Sequence, residues 1–146
     1  MITARLYCII SYMQDCIFCK IINGQLPIYK LYEDENFLAF LDTEPINKGQ
    51  SLVIPKKHYR WVDDVPNFGD YFEVAKKIGL SIKKALSPLA ICYVTLGFSV
   101  PHAHIRIIPR FENDGHRDGL NFGLYKEVSQ KEMQVIAAKI QKKLSV

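Results

Sequence analysis

The chain has 146 residues, 49% of them hydrophobic, with 19 basic against 15 acidic side chains for a net charge of +4. That length and apolar content suit one compact domain with its own core, and the mild, scattered charge fits a solvated surface better than a nucleic-acid face. No apolar run reaches membrane-helix length. Four cysteines, two of them as Cys16-x-x-Cys19, fit a reducing, cytoplasmic setting rather than a secreted disulfide framework.

Residues 1–12 hold one basic residue and a short apolar patch, without the long apolar region and cleavage site of a signal peptide. They read as an N-terminal extension, either an early start codon or an extra strand, ahead of a domain spanning 13–146. Residues 15–23 read as a short helix or knuckle stopped by Asn23-Gly24. Ile28 to Glu33 and Phe37 to Leu41 form a hairpin across the polar turn Asp34-Glu35-Asn36. Gly49 to Pro55 is a third strand, ended by a proline that cannot continue a ladder. After a turn at Asp63 to Asn67, the positions Tyr71, Val74, Ala75, Ile78, Ile82 and Leu86 keep helical spacing until Pro88. Ala90 to Leu96 reads as a buried strand, joined by a tight link to the strand that follows. Asn113 to Gly119 is loop chemistry. Ser129 and Glu132 form a capping box for a last helix, with Met133, Ile136, Ile140 and Leu144 on one side. The order β-β-β-α-β-β-α predicts an α+β fold: an antiparallel sheet with two main helices.

The segment Gly97-Phe98-Ser99-Val100-Pro101-His102-Ala103-His104-Ile105-Arg106-Ile107-Ile108-Pro109-Arg110 carries the chemistry. Read as a strand, it puts His102, His104 and Arg106 on one face, roughly 6–7 Å apart, and Ala103, Ile105 and Ile107 on the other. A row of imidazole, imidazole and guanidinium needs polar partners, which makes a site the better reading.

Cys16 and Cys19 are spaced so that two thiolates can grip one metal. The nitrogens available to complete a tetrahedron belong to His58, His102, His104 and His116. A Cys2His2 zinc site of Cys16, Cys19, His58 and His102 would be closed, and therefore structural. The alternatives are a thioredoxin-like redox pair, which lacks its βαβ setting, and two independent cysteines. Cys92 reads as a small buried hydrophobe, Cys8 is unassigned, and His116 reads as a solvated surface residue.

The run His102-Ala103-His104-Ile105-Arg106-Ile107-Ile108-Pro109-Arg110 resembles the histidine-triad (HIT) motif. Cys16-Ile17-Phe18-Cys19-Lys20-Ile21-Ile22, the stretch from Tyr32 to Asp42, and Leu52-Val53-Ile54-Pro55-Lys56-Lys57-His58 resemble further blocks of that family in the same order. The resemblance implies an α+β sheet paired into a homodimer, with nucleotides hydrolysed or transferred at the α-phosphorus. Diadenosine polyphosphates are the leading substrate class, alongside nucleoside phosphoramidates. It implies His104 as a nucleophile passing through a nucleotidyl-histidine, and Ser99, Arg106 and Gly97 at the phosphates. It also implies Asp42 on the ribose and Ile17, Phe18, Ile21, Phe40 and Leu52 around the base. Zinc-bearing members match Cys16, Cys19, His58 and His102 as ligands. Three departures stand out. Arg106 replaces the third histidine and cannot exchange protons near neutral pH. The loop between Thr95 and Gly97 is short, and Phe98 replaces a usual glutamine. A non-catalytic, dimeric nucleotide-binding adaptor is therefore the alternative expectation.

Overall fold

The computed structural model describes residues 15–144. The expectations for residues 1–12 and for Cys8 lie outside the described residues. The elements are α1 (Ile17–Ile22), β1 (Lys30–Glu33), β2 (Phe37–Leu41), β3 (Ser51–Pro55), a 3-10 turn at Val62–Asp64, α2 (Phe68–Leu86), β4 (Ala90–Val94), β5 (Ile105–Arg110) and α3 (Gln130–Leu144). The five strands form one antiparallel sheet in the order β1-β2-β3-β5-β4, the α+β architecture the element order predicts.

Local chemistry explains the punctuation. At the hairpin, Asp34 Oδ1 accepts the backbone N–H groups of Asn36 and Phe37 at 2.8 and 2.7 Å, an Asx turn that fixes the β1–β2 register. Gly49 precedes β3 with φ +86°, and a Cβ there would run into the Leu86 side chain, so only glycine fits. α2 ends at Ser87, in the left-handed conformation, before Pro88.

Strand alternation divides the interior between the two sheet faces. Ala39, Val53, Ile105 and Ile107 pack with Tyr71, Ala75, Ile78 and Ile82 of α2 and with Ile136 and Ile140 of α3. Tyr71 anchors this layer by donating its hydroxyl to Val53 O at 2.7 Å. On the opposite face Leu38, Phe40, Leu52 and Ile54 pack with Cys16, Phe18 and Cys19 of the N-terminal knuckle. Covering on both sides explains why every residue of β2 and β3 is buried. The register then aligns Phe40 with Leu52 and Leu52 with Arg106, a row across three strands on the knuckle side.

Several expectations are corrected. β4 ends at Val94 and is an edge strand of mixed exposure, not a buried one, because only β5 pairs with it. Cys92 on it is accordingly only partly buried. The link to β5 is the long segment 95–104 rather than a tight turn. β5 itself begins at Ile105, so His102 and His104 precede the ladder: its last pair is Val53 with Ile105, and the N–H groups of His102 and Ala103 bond Val100 O and Tyr59 O instead. Only half of the α3 capping box forms. Ser129 Oγ accepts the Glu132 N–H at 3.2 Å, while the Glu132 carboxylate takes Lys48 at 2.6 Å. His116 is buried, not solvated: its Nε2 meets Ile46 O at 3.1 Å and its Nδ1 accepts the Asn121 N–H at 3.0 Å.

Candidate functional site

Cys16 caps the N-terminus of α1 and Cys19 lies one turn on, so both thiols face the same side. His102, fully buried, places Nδ1 3.4 Å from Cys16 Sγ and 3.6 Å from Cys19 Sγ. His58, in the segment after β3, brings Nδ1 to 3.2 Å from Cys19 Sγ. The four donor atoms all lie within 4.8 Å of one another. A tetrahedral ion with Zn–S near 2.3 Å and Zn–N near 2.0 Å spaces its donors by about 3.3–3.8 Å. The cluster therefore fits a metal of that kind. Its tautomer fits too, because the other nitrogen of His102 bonds Pro55 O at 2.9 Å, which makes Nε2 the donor and frees Nδ1 for an ion. Burial pushes the Cys19 thiol up to about 12, aided by Cys16 beside it, and pushes His102 down to about 4. A cation among these four groups would reverse the thiol penalty and find its imidazoles already neutral.

One residue beyond the cluster the chain opens into a cavity of about 330 Å³. Phe40, Leu52 and Arg106, the row across β2, β3 and β5, form its floor. Ile17, Phe18 and Ile21 of α1 wall it, and Asp42 and His104 bring polar groups to it. Phe18 meets both histidines edge-on, with ring centroids 5.7 Å from His102 and 5.3 Å from His104. His104 is 2% exposed, and its Nδ1 donates to His102 O at 2.8 Å, leaving the Nε2 lone pair for the cavity. Burial lowers its pKa, and the charges of Arg106 and Arg60 add to that, so the ring is neutral at neutral pH. Asp42 is fixed by its own contacts: Oδ1 accepts the Glu44 N–H at 3.0 Å and Oδ2 accepts Gln50 Nε2 at 2.7 Å. Arg106 Nε is buried without a hydrogen-bond partner. A desolvated, unpartnered guanidinium donor is costly, and Arg106 also lines the cavity, where an anion could pair with its charge.

A model of the HIT domain matches residues 23–113, the larger part of the chain. The chain belongs to the HIT family. An uncharacterised HIT-like protein of Methanocaldococcus jannaschii is 43% identical over 127 residues, covering 81% of this chain and 95% of its own. The adenosine 5′-monophosphoramidase of Schizosaccharomyces pombe is 33% identical, covering 89% and 98%. The adenylylsulfatase of Arabidopsis thaliana is 41% identical, covering 68% and 54%. The solved structure of a zinc-bound histidine triad protein from Mycobacterium smegmatis superposes with a TM-score of 0.74 at 26% identity, covering 91% and 95%.

The structure gathers Cys16, Cys19, His58 and His102 into one cluster. It gathers His104, Arg106, Asp42, Ile17, Phe18, Ile21, Phe40 and Leu52 around one cavity. Gly97 lies apart from that cavity, on a second one that also touches His104. Ser99 is exposed on the 95–104 segment and is not among the lining residues of either. Sequence reasoning missed Leu26, Pro27 and Ile28, which extend the apolar wall; the apolar pair flanking Pro27 was the available signal. It also missed Phe122, whose ring centroid lies 5.6 Å from the Arg106 guanidinium. No local pattern announces a loop residue that returns to a strand sixteen positions earlier.

Proposed function

We propose that this HIT protein attacks nucleotides at the α-phosphorus, with His104 as nucleophile, and hydrolyses or transfers the nucleotidyl group. The observation that carries the reading is the orientation of His104. Its Nδ1–H is tied to a backbone carbonyl, and its ring lines the same cavity as Arg106, whose buried Nε has no hydrogen-bond partner. A neutral imidazole in that tautomer attacks phosphorus, and the carbonyl then stabilises the positive charge that grows on the ring. Arg106 neutralises the phosphoryl oxygens, Ile17, Phe18, Ile21, Phe40 and Leu52 sandwich the base, and Asp42 accepts from the ribose. Ser99 and Gly97, on the link before the motif, complete the phosphate contacts. Water resolves the nucleotidyl-histidine. The activities named for the phosphoramidase and the adenylylsulfatase relatives support an AMP-bearing substrate, and a diadenosine polyphosphate offers the same α-phosphorus.

Cys16, Cys19, His58 and His102 are proposed to hold a structural zinc ion, supported by the donor spacing and by the zinc-bound neighbour. The zinc would fasten the knuckle to the segment bearing His104, in a domain taken to span 13–146 and to work in the reducing cytoplasm. No helix among the described residues is long and apolar enough to cross a membrane. The exposed β4 edge, with Tyr93 on it, supports a homodimer formed by strand pairing; sedimentation at twice the chain mass checks this.

The deciding experiment incubates the protein and His104→Ala with adenosine 5′-phosphoramidate, adenylylsulfate and diadenosine tetraphosphate. AMP from the parent protein alone, with ATP as co-product from the dinucleotide, is the expected result. Tight nucleotide binding without product would replace the enzyme with a binding module, a reading that Arg106 in place of a proton-exchanging histidine favours.

A further inference from the structure

His104 lines two cavities. Besides the slot described above, it closes with Ala103 a smaller cavity of about 140 Å³ whose other walls include Arg60, Trp61, Phe68 and Gly97. Trp61, on the wall of this second cavity, anchors an aromatic platform that continues outward through Phe98. The Arg60 guanidinium lies 3.8 Å from the Trp61 ring centroid, and its Nη1 donates to Gly97 O at 2.6 Å. Phe98 meets Trp61 edge-on, with centroids 5.6 Å apart and planes at 72°. Gly97 has φ +72°, and a Cβ there would come 3.2 Å from the indole, so glycine lets the 95–104 segment lie against Trp61.

Both rings face solvent: Trp61 is 40% exposed and Phe98 81%. Core packing does not explain two adjoining open rings. Trp61 lines a cavity that ends at the proposed nucleophile and Phe98 adjoins it through that ring, so the pair reads as a binding surface. Arg60 is already stacked on the indole and bonded to a carbonyl, so it stiffens the platform rather than supplying a free charge.

We propose that this cavity is a leaving-group subsite, in which Trp61 and Phe98 receive a planar aromatic ring carried by the group expelled from the α-phosphorus. The proposal rests on the reading of His104 given above and adds to it a preference on the departing side. As the bond from His104 Nε2 to phosphorus forms, the bond from phosphorus to the leaving nitrogen or oxygen breaks. That atom takes its proton from solvent water, and the ring stays on the platform until release. The nucleotide slot is then only half of the specificity.

Two matched probes test it: the adenosine 5′-phosphoramidates of benzylamine and of cyclohexylmethylamine, alike in size and different in aromaticity. The ratio of their kcat/KM values, benzyl over cyclohexylmethyl, should fall about three- to tenfold in Phe98→Ser and in Trp61→Leu, the range of one aromatic contact. Taking the ratio cancels the intrinsic reactivities of the two amines and any general loss of folded protein. An unchanged ratio in both variants overturns the proposal.

A second readout needs no turnover. Trp61 is the single tryptophan of the chain, so its emission reports on this cavity. In His104→Ala the benzyl probe should shift that emission at the concentration where calorimetry shows binding, while AMP should bind without shifting it. Binding of the benzyl probe with emission unmoved rejects the subsite and leaves the His104 reading standing if the parent protein still releases AMP. A shift on binding, with no turnover by the parent protein, keeps the subsite and rejects the nucleophile. Emission that follows protein concentration instead of ligand means a second copy covers the platform, which overturns the proposal.

Discussion

The Nδ1–H of His104 donates to the backbone carbonyl of His102 at 2.8 Å, so the proposed nucleophile is aimed by the same residue whose side chain completes the Cys2His2 cluster. His102 is itself held through Nε2 on Pro55 O, at the end of β3. The cluster thus fixes a backbone position, and the backbone fixes a tautomer. Structural and chemical halves of the site meet in one residue.

That coupling predicts the effect of metal removal. Stripping the proposed zinc with a chelator, or changing Cys19→Ser, should lower Tm by about 5–10 °C, the scale for losing a ligand held at a hundred times its Kd. AMP-releasing activity should fall with it, and zinc should restore both in the parent protein but not in the variant. Thermal melts beside metal analysis, at one zinc per chain, check this. Activity that survives complete demetallation would separate the cluster from the aim of His104.

Arg106 is the next test. Its Nε is buried and unpartnered, and its guanidinium faces Phe122. Arg106→Gln should raise KM for AMP-bearing substrates about tenfold or more, since a charge-assisted contact is worth roughly 1.5–3 kcal/mol. Arg106→His restores a proton-exchanging group at this position. It should weaken phosphate binding near pH 8, where the imidazole is neutral, and introduce into kcat a pH dependence in the range where histidine titrates. Steady-state kinetics from pH 5 to 8 on both variants resolve the two effects. Identical rates, affinities and pH profiles for Arg106→His and the parent protein would remove Arg106 from the site.

Much of this arrangement was legible in the sequence because it follows from spacing. The two-residue gap between Cys16 and Cys19, and the alternation of His102, His104 and Arg106 with Ala103, Ile105 and Ile107, survive folding: the apolar set lies in the helix-side core and the polar set on the knuckle side. The limits are equally physical. The β3–β5 ladder stops at Val53 opposite Ile105 although β3 runs on to Pro55 against β2, so the two histidines lie before β5, and no property of their own segment reports where the pairing stops. Ala90 to Val94 is apolar enough for a central strand, yet its place at the edge depends on which strands pair. His116 looked solvated among Gly and Asp, and is buried because Ile46 and Asn121, distant and near in sequence, enclose it.

Asp42 gives a prediction about the sugar. Its two oxygens each accept one protein hydrogen bond, from Glu44 N–H and from Gln50 Nε2, which leaves a lone pair on each toward the cavity. If these meet ribose hydroxyls, the parent protein should prefer ribonucleotide to 2′-deoxyribonucleotide substrates, and Asp42→Asn should reduce that preference about tenfold. Competition between the two substrate forms in one tube measures the ratio without depending on enzyme concentration. A preference that Asp42→Asn leaves unchanged would place the sugar elsewhere.

The loop after β5 carries the acid limit of stability. Asp114 accepts Arg110 Nε at 2.7 Å, Asn47 Nδ2 at 2.9 Å and the N–H groups of Phe111 and His116 at 3.1 and 3.0 Å. Arg110 above all holds this carboxyl far below the usual carboxylate range. A group whose pKa is depressed by folding stabilises the fold fully above its unfolded value, about 3.9, and loses that contribution as pH falls through the folded value. Asp114→Asn should therefore destabilise the protein by about 2–3 kcal/mol at neutral pH, from a nearly buried ion pair and its hydrogen bonds. The gap in Tm between parent and variant should then narrow steadily below pH 4. Release of a bound metal in acid affects both proteins alike and cancels in the difference. Melting curves that stay parallel from pH 7 to pH 2 would show that Asp114 is not the carboxylate setting this limit.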